Sequence, residues 1–131
     1  MTRRELREQI FKILFQIDFY EWEDLSAQLL YQIEEDTEIS EKDAAYIRNK
    51  ISAVTDHLME IDNAINAVAK GWKTARMGKV DLTLIRLAVY EIKYDEDIAT
   101  GVAINEAVEL AKKYGTDTSS SFVNGILARI A

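Results

Sequence analysis

The stretch "DLTLIRLAVYEIKY", Asp81 to Tyr94, decides the fold class. Its apolar side chains cover most of the circumference of a helix, and they are Leu82, Leu84, Ile85, Leu87, Ala88, Val89 and Ile92. A helix that is apolar nearly all round is buried in the centre of a protein. We therefore expect this segment to be the central helix of an all-α fold. Asp81 is its expected N-cap, and Leu84, Ile85, Ala88 and Ile92 are expected to be buried.

Helices are also predicted before this segment. Thr2 with Glu5, and Ser40 with Asp43, have the three-residue spacing of an N-terminal helix cap. Four runs of apolar residues keep the helical period: Leu6, Ile10, Ile13, Leu14 and Ile17; Leu29, Leu30 and Ile33, in a helix that begins at Asp24 or Ser26; Ala44, Ile47, Ile51 and Val54; and Leu58, Ile61, Ile65 and Val68. The last two runs belong either to two helices or to one bent helix.

Two further helices follow the central one. "VAINEAVELAKKYG", Val102 to Gly115, is amphipathic, and Gly115 is its expected C-cap. The last helix holds Phe122, Val123, Ile126, Leu127 and Ile130. The connector "GWKTARMGKV", residues 71–80, is bracketed by glycines and is the expected boundary between two sub-bundles, roughly 1–70 and 80–131, of a single domain. No strand pattern is visible, so we predict about seven helices in two small packed bundles.

The composition of the 131 residues excludes several kinds of chemistry. There is no cysteine and one histidine, His57, so disulfides and zinc sites built from cysteine and histidine are impossible. A single histidine without a positioned partner does not favour a catalytic site. No glycine-rich phosphate loop or EF-hand pattern is present. We predict no catalytic residue, no metal and no cofactor. No signal peptide or membrane-spanning run is recognisable, and we expect a cytoplasmic protein.

The net charge of −7 is unevenly distributed. Residues 18–62 carry thirteen acidic and three basic side chains, whereas residues 1–17 carry two acidic and four basic ones. The basic residues are Arg3, Arg4, Arg7 and Lys12. Positive charge in the first turn of a helix opposes the helix dipole, so this arm favours binding of an anion. The alternative is a solvated helix end whose arginines pair with neighbouring glutamates.

The polar run "TDTSSSF", residues 116–122, precedes the last helix. Hydroxyl groups and free backbone N–H groups at a helix N-terminus can bind an anion. Phe122 beside them could stack on a base of single-stranded RNA. The alternative is a simple N-cap followed by a phenylalanine that packs into the core.

Three stretches together resemble the NusB transcription antitermination family: "VAINEAVELAKKYGTDTSSSFVNGIL", "VDLTLIRLAVYEI" and "RRELREQIFKILFQIDF". The resemblance covers nearly the whole chain. Its C-terminal third is the most specific part. There, Ile104-Asn105-Glu106-Ala107, an aromatic–glycine pair and Phe122-Val123-Asn124-Gly125 follow one another in the order and spacing of the family.

The resemblance implies an all-α fold of two helical bundles that binds the single-stranded boxA element of leader RNA. It also implies a partner, NusE, which is a small-subunit ribosomal protein, and an antitermination complex on RNA polymerase in ribosomal RNA operons. By position, the implied RNA-contacting residues are Arg3, Arg4, Arg7, Lys12, Thr118 and Phe122. The implied partner-contacting residues are Asp81, Tyr90 and Glu91.

The sequence admits one alternative and argues against another. The first is a helical homodimer or interaction scaffold without RNA contact, and the resemblance itself allows a homodimer. A salt-dependent affinity for single-stranded RNA would separate this scaffold from an RNA-binding protein. The second is the NusB-like domain of an RNA methyltransferase, which the lack of a glycine-rich cofactor-binding loop argues against.

Overall fold

The structure, a computed structural model, describes residues 1–17, 39–71 and 73–131. These residues contain no strand; they form six α-helices and one short 3-10 helix. The helices are α1 (Arg3–Ile17), α2 (Glu41–Asp56), α3 (Leu58–Val68), the 3-10 helix (Thr74–Arg76), α4 (Lys79–Tyr94), α5 (Thr100–Tyr114) and α6 (Ser119–Ile130). The all-α prediction is confirmed. The helix expected to begin at Asp24 or Ser26 lies outside the described residues.

The chain divides into two compact units, residues 1–55 and 56–131. The division falls at the end of α2, and the whole connector 71–80 lies within the second unit. A turn at His57 separates α2 from α3, so the two apolar runs of this region form two helices. The interpretation as a single domain with sub-bundles of 1–70 and 80–131 stays a prediction.

Side-chain caps begin α1 and α2, the two helices that the structure describes in the first unit. The backbone N–H of Thr2 donates to Glu5 Oε1 at 2.8 Å, and the backbone N–H of Glu5 donates to Thr2 Oγ1 at 3.1 Å. The backbone N–H of Asp43 donates to Ser40 Oγ at 3.1 Å. Both predicted caps are therefore confirmed. The buried apolar residues of this unit are Leu6, Ile10, Phe11, Ile13, Leu14, Ala44, Ile47, Ile51 and Val54.

Helix α4 is the centre of the second unit, because it packs against α3, α5 and α6. Its buried residues follow one another almost without interruption, and they are Leu82, Thr83, Leu84, Ile85, Leu87, Ala88, Val89 and Glu91. Contact with three neighbouring helices leaves little of its circumference for solvent, which explains the nearly continuous apolar sequence. Leu84, Ile85 and Ala88 are buried as predicted. Ile92, in the last turn, is only half-buried.

The predicted N-cap of α4, Asp81, is wrong by three residues. The N-cap is Gly78, whose carbonyl oxygen accepts a hydrogen bond from the backbone N–H of Leu82 at 2.9 Å, and the helix begins at Lys79. Asp81 lies in the first turn instead. Aspartate is favoured both at the N-cap, where it accepts a hydrogen bond, and in the first turn, where its charge suits the helix dipole. The residue type therefore does not distinguish the two positions.

Polar contacts fix α3 against α4 and the connector. The guanidinium of Arg86 on α4 donates two hydrogen bonds to the carboxylate of Asp62 on α3, both of 2.8 Å. Two parallel charge-assisted bonds restrict orientation as well as distance. Asn66 on α3 accepts two hydrogen bonds from the connector. Its side-chain Oδ1 atom accepts from the backbone N–H of Thr74 at 2.8 Å, and its backbone carbonyl oxygen accepts from Lys73 Nζ at 2.8 Å. These bonds anchor the connector to α3.

Candidate nucleic-acid interface and partner surface

The start of α1, which carries the basic arm, is held by its capping box and by a contact with α2. Hydrogen bonds from the backbone N–H of Thr2, and then from its side chain, hold the pKa of the Glu5 carboxyl below its usual value. Glu5 is therefore ionised and directed at the helix start, where negative charge suits the dipole. The arm is also tied to α2, since the amino nitrogen of Met1 lies 3.0 Å from Asp43 Oδ2.

The four basic residues of the arm have different surroundings. Arg3 is exposed and donates from Nη1 to the hydroxyl of Tyr46 at 3.2 Å. Arg4 and Lys12 are exposed, and Lys12 lies 3.8 Å from a carboxylate oxygen of Glu8. Arg7 is buried, with 6% of its surface exposed. The solvent-facing positive charge of α1 therefore comes from Arg3, Arg4 and Lys12, and an RNA contact by Arg7 stays a prediction.

The turn between α5 and α6 is built around a close approach of glycine and serine. The backbone N–H of Gly115 donates to Ala111 O at 2.9 Å and ends α5, which confirms Gly115 as its C-cap. Its φ of −95° lies outside the left-handed region, so glycine is not required for its dihedral angles. A Cβ atom at Gly115 would instead overlap the side chain of Ser119. The missing side chain makes room for the turn.

Ser119 closes this turn from inside. Its buried hydroxyl accepts a hydrogen bond from the backbone N–H of Thr116 at 2.9 Å, and its own N–H donates to Thr116 O at 3.1 Å. Ser119 stabilises the turn, and its hydroxyl is engaged inside the turn rather than exposed to solvent. Sequence reasoning did not single out this residue, although the glycine four positions earlier was a signal of close packing.

Thr118 and Phe122 lie on consecutive turns at the start of α6. Thr118 is the N-cap residue; it is exposed, and its hydroxyl oxygen lies 3.3 Å from that of Thr116. The backbone N–H of Phe122 donates to Thr118 O at 3.1 Å, and the Phe122 side chain is half-buried. The ring therefore retains surface on which a base could stack, while part of it packs against the protein. The arginine arm belongs to the other compact unit.

The partner residues implied by the resemblance lie at both ends of α4. Asp81, in the first turn, is half-buried, and so is Tyr90 near the C-terminal end. Glu91, the next residue, is buried with 2% of its surface exposed. Asp81 and Tyr90 can be reached from solvent, whereas Glu91 lies in the interior. Its contact with a partner stays a prediction.

Two further aromatic rings, those of His57 and Tyr94, lie beside Tyr90. The ring centroid of His57 lies 4.1 Å from that of Tyr94 and 5.8 Å from that of Tyr90, and the two tyrosine centroids lie 5.8 Å apart. His57 is half-buried, and Tyr94 is among the exposed large side chains of the chain. The group provides an amphipathic aromatic surface continuous with Tyr90, as protein interfaces often have.

In the described ranges 1–17, 39–71 and 73–131, no group of three His, Asp or Glu side chains could hold a metal ion. Within those ranges, no helix is both long enough and apolar enough to cross a membrane. Fold and surfaces together define a small all-α protein with a basic N-terminal helix, a polar helix-start turn with a half-exposed phenylalanine, and an aromatic surface on its central helix.

Comparison with known proteins identifies the family. The NusB family model matches residues 4–131, and this chain belongs to the NusB family. It is 51% identical over 131 residues to a protein of Agathobacter rectalis named transcription antitermination protein NusB, and the match covers 100% of both chains. The resemblance noted in the sequence is confirmed.

Solved structures agree with this assignment. The fold matches NusB of T. maritima with a TM-score of 0.88 and 36% identity, over 100% of this chain and 91% of that one. It also matches a chain in the crystal structure of the antitermination factors NusB and NusE in complex with dsRNA. That match has a TM-score of 0.82 and 25% identity, and it covers 98% of this chain and 94% of the other.

Proposed function

We propose that this chain is a non-enzymatic, RNA-binding transcription antitermination factor that acts in the cytoplasm. It binds the boxA element of leader RNA together with NusE and joins an antitermination complex on RNA polymerase, notably in ribosomal RNA operons. The observation that carries the proposal is the full-length match to a protein named for antitermination, joined to the fold match with a chain solved with both NusE and RNA.

The charges of the described residues support the RNA-binding part. An acidic protein can hold a polyanion only through local positive charge, and RNA affinity depends mainly on phosphate contacts. Exposed Arg3, Arg4 and Lys12 supply such charge on α1. On the other unit, exposed Thr118 and half-buried Phe122 supply a hydroxyl and a stacking surface. The RNA-contacting set proposed from sequence thus keeps five accessible members out of six, the exception being Arg7.

The protein partner has its own surface in the proposal. Asp81 and Tyr90 are accessible on α4, and the ring group of His57, Tyr90 and Tyr94 enlarges the contact area. A ribosomal protein is expected to be basic, and the carboxylate of Asp81 complements such a partner. A homodimer that uses part of the same surface would compete with this assembly.

The experiment is a titration of labelled boxA RNA, with and without saturating NusE, at several salt concentrations. The proposal is supported if NusE raises the affinity for RNA and if the logarithm of that affinity falls linearly with the logarithm of the salt concentration. A protein scaffold without RNA contact would bind NusE or itself but would leave the RNA free in both arms, and that outcome refutes the proposal. Single-stranded and double-stranded versions of the same RNA are compared, because the bases of a single strand are free to stack on Phe122 whereas those of a duplex are not.

A further inference from the structure

Tyr46 on α2 contacts the exposed arginine at the start of α1. The Nη1 atom of Arg3 donates a hydrogen bond of 3.2 Å to the Tyr46 hydroxyl, and the guanidinium carbon lies 5.3 Å from the centroid of the same ring. Both distances fit a guanidinium held by an aromatic ring and its hydroxyl. Arg3 and Tyr46 are 43 residues apart in sequence, so no local pattern indicates this contact.

The half-buried ring of Tyr46 also contacts a lysine of its own helix, α2. Lys50, one helical turn further along, is buried, and its Nζ atom lies 5.3 Å from the ring centroid. Residues four apart lie on the same face of a helix, so Tyr46 and Lys50 present one continuous surface. Arg3 thus rests on a half-buried ring with a fixed neighbour, and the ring is a stable support for it.

The contacts of Arg3 leave its charge available. Within the described residues Arg3 contacts the neutral side chain of Tyr46 rather than a carboxylate. The nearest acidic residue in sequence, Glu5, is bonded to Thr2 in the capping box. An arginine in an ion pair must give up that pair to bind a phosphate, whereas an arginine held by an aromatic ring keeps its full charge and most of its five N–H donors.

On this basis, and given the proposed RNA-binding function, we infer that Tyr46 is a positioning residue for RNA. It holds the guanidinium of Arg3 toward solvent at the N-terminal end of α1, where Arg3 binds a backbone phosphate. A free arginine side chain loses rotamer freedom when it binds, and a side chain already held in place loses less. Tyr46 contacts Arg3, and we infer that it affects RNA binding through this contact.

The test is a double-mutant cycle of Arg3→Ala and Tyr46→Leu, with boxA RNA and saturating NusE. Arg3→Ala alone should flatten the slope of log affinity against log salt by about 0.7, the value for one phosphate on a single strand. Tyr46→Leu alone should lower affinity roughly fivefold, because an Arg3 side chain that is no longer held must lose its rotamer freedom on binding, at a cost of about 1 kcal/mol. In the Tyr46→Leu background, Arg3→Ala should cost clearly less than it costs in the wild type.

Two further variants keep the cycle interpretable. Tyr46→Phe retains the ring and loses only the hydroxyl, so it should fold normally and lose less affinity than Tyr46→Leu. Arg48→Ala removes a half-buried arginine of the same helix that lies 3.6 Å from a carboxylate oxygen of Glu41, and it should change the slope less than Arg3→Ala. Thermal unfolding of every variant separates a loss of fold from a loss of binding.

The outcomes separate this inference from the function on which it rests. If the wild type binds no RNA, both fail. If the wild type binds with the expected slope and the penalties of Arg3→Ala and Tyr46→Leu simply multiply, Tyr46 is structural and only the positioning role is refuted. If the coupling appears in the affinity for NusE measured without RNA, the pair serves the protein partner, and the inference is likewise overturned.

Discussion

Arg4 and Arg7 are one turn apart on α1, but only Arg4 faces solvent. Replacing Arg4 by alanine should therefore affect RNA binding, whereas replacing Arg7 should affect the stability of the fold. Arg4→Ala should weaken RNA binding and flatten the salt slope by about 0.7, because one phosphate contact is lost on a single strand. The folded protein should be hardly affected, since exposed side chains contribute little to stability. Lys12 is another exposed member of the proposed RNA-contacting set on the same helix, and Lys12→Ala should likewise flatten the slope.

Arg7→Ala should act on the fold instead. With 6% of its surface exposed, Arg7 cannot reach a phosphate of bound RNA without leaving the interior. Its removal deletes a buried charged side chain together with the interaction that it makes, and the expected cost is roughly 1–3 kcal/mol of unfolding free energy. The salt slope should therefore stay at the wild-type value. Replacing Arg3, Arg4 and Arg7 together should flatten the slope by about 1.4, for two phosphates rather than three.

Fluorescence anisotropy of labelled boxA RNA with saturating NusE measures the slope, over salt concentrations from about 50 to 200 mM, where phosphate contacts dominate the change in affinity. Thermal unfolding of the same samples measures the effect on the fold. A flattened slope for Arg7→Ala with an unchanged unfolding midpoint would show that this arginine reaches the RNA. An unchanged slope for the triple variant would show that α1 is an ordinary solvated helix end.

Four further predictions concern the second unit. Ile85→Ala removes a side chain with no exposed surface at the centre of α4, and it should cost about 2–5 kcal/mol in a denaturant titration. Gly115→Ala should destabilise by roughly 1–3 kcal/mol through the overlap of its new Cβ atom, whereas Gly101→Ala, which meets nothing within 4 Å, should be neutral or stabilising. Asp81→Lys should weaken NusE binding in calorimetry with an unchanged circular dichroism spectrum; unaltered affinity would remove this residue from the partner surface. Phe122→Ala should lower RNA affinity by about 1–3 kcal/mol with the salt slope unchanged, because stacking releases no counterions.

The features that sequence reasoning predicted correctly are local ones. Thr2 with Glu5 and Ser40 with Asp43 form caps within four residues, so their geometry depends little on the rest of the chain. The central position of α4 could also be predicted, because a helix that is buried on nearly all sides shows no polar stripe in its sequence. The contact between Arg3 and Tyr46 was not predictable, since it depends on how α1 and α2 pack and leaves no periodic trace in either helix.

Arg7 and Glu91 share one reason for their unexpected burial. Arg7 lies three residues before Ile10 and seven before Leu14, and these spacings place it on the apolar stripe of α1 rather than on the face shared by Arg4 and Lys12. Glu91 lies three residues after Ala88 and seven after Leu84, on the buried side of α4. The helical period therefore indicates burial at both positions, and the contact of Arg7 with RNA and of Glu91 with a partner stays a prediction.

The position of a charge relative to the apolar stripe also narrows the set of α1 residues that can contact RNA directly. A charged residue on an apolar stripe is held by interior contacts, so it contributes to binding only by orienting its neighbours. A charged residue off the stripe contributes its charge directly. On α1 this assigns direct phosphate contact to Arg4, which lies off the stripe. Arg3 lies on the side of the stripe, but it is exposed because it stands at the helix start, where it rests on Tyr46. The RNA-contacting charge of an acidic chain is then concentrated at one helix end, where the helix dipole adds to it.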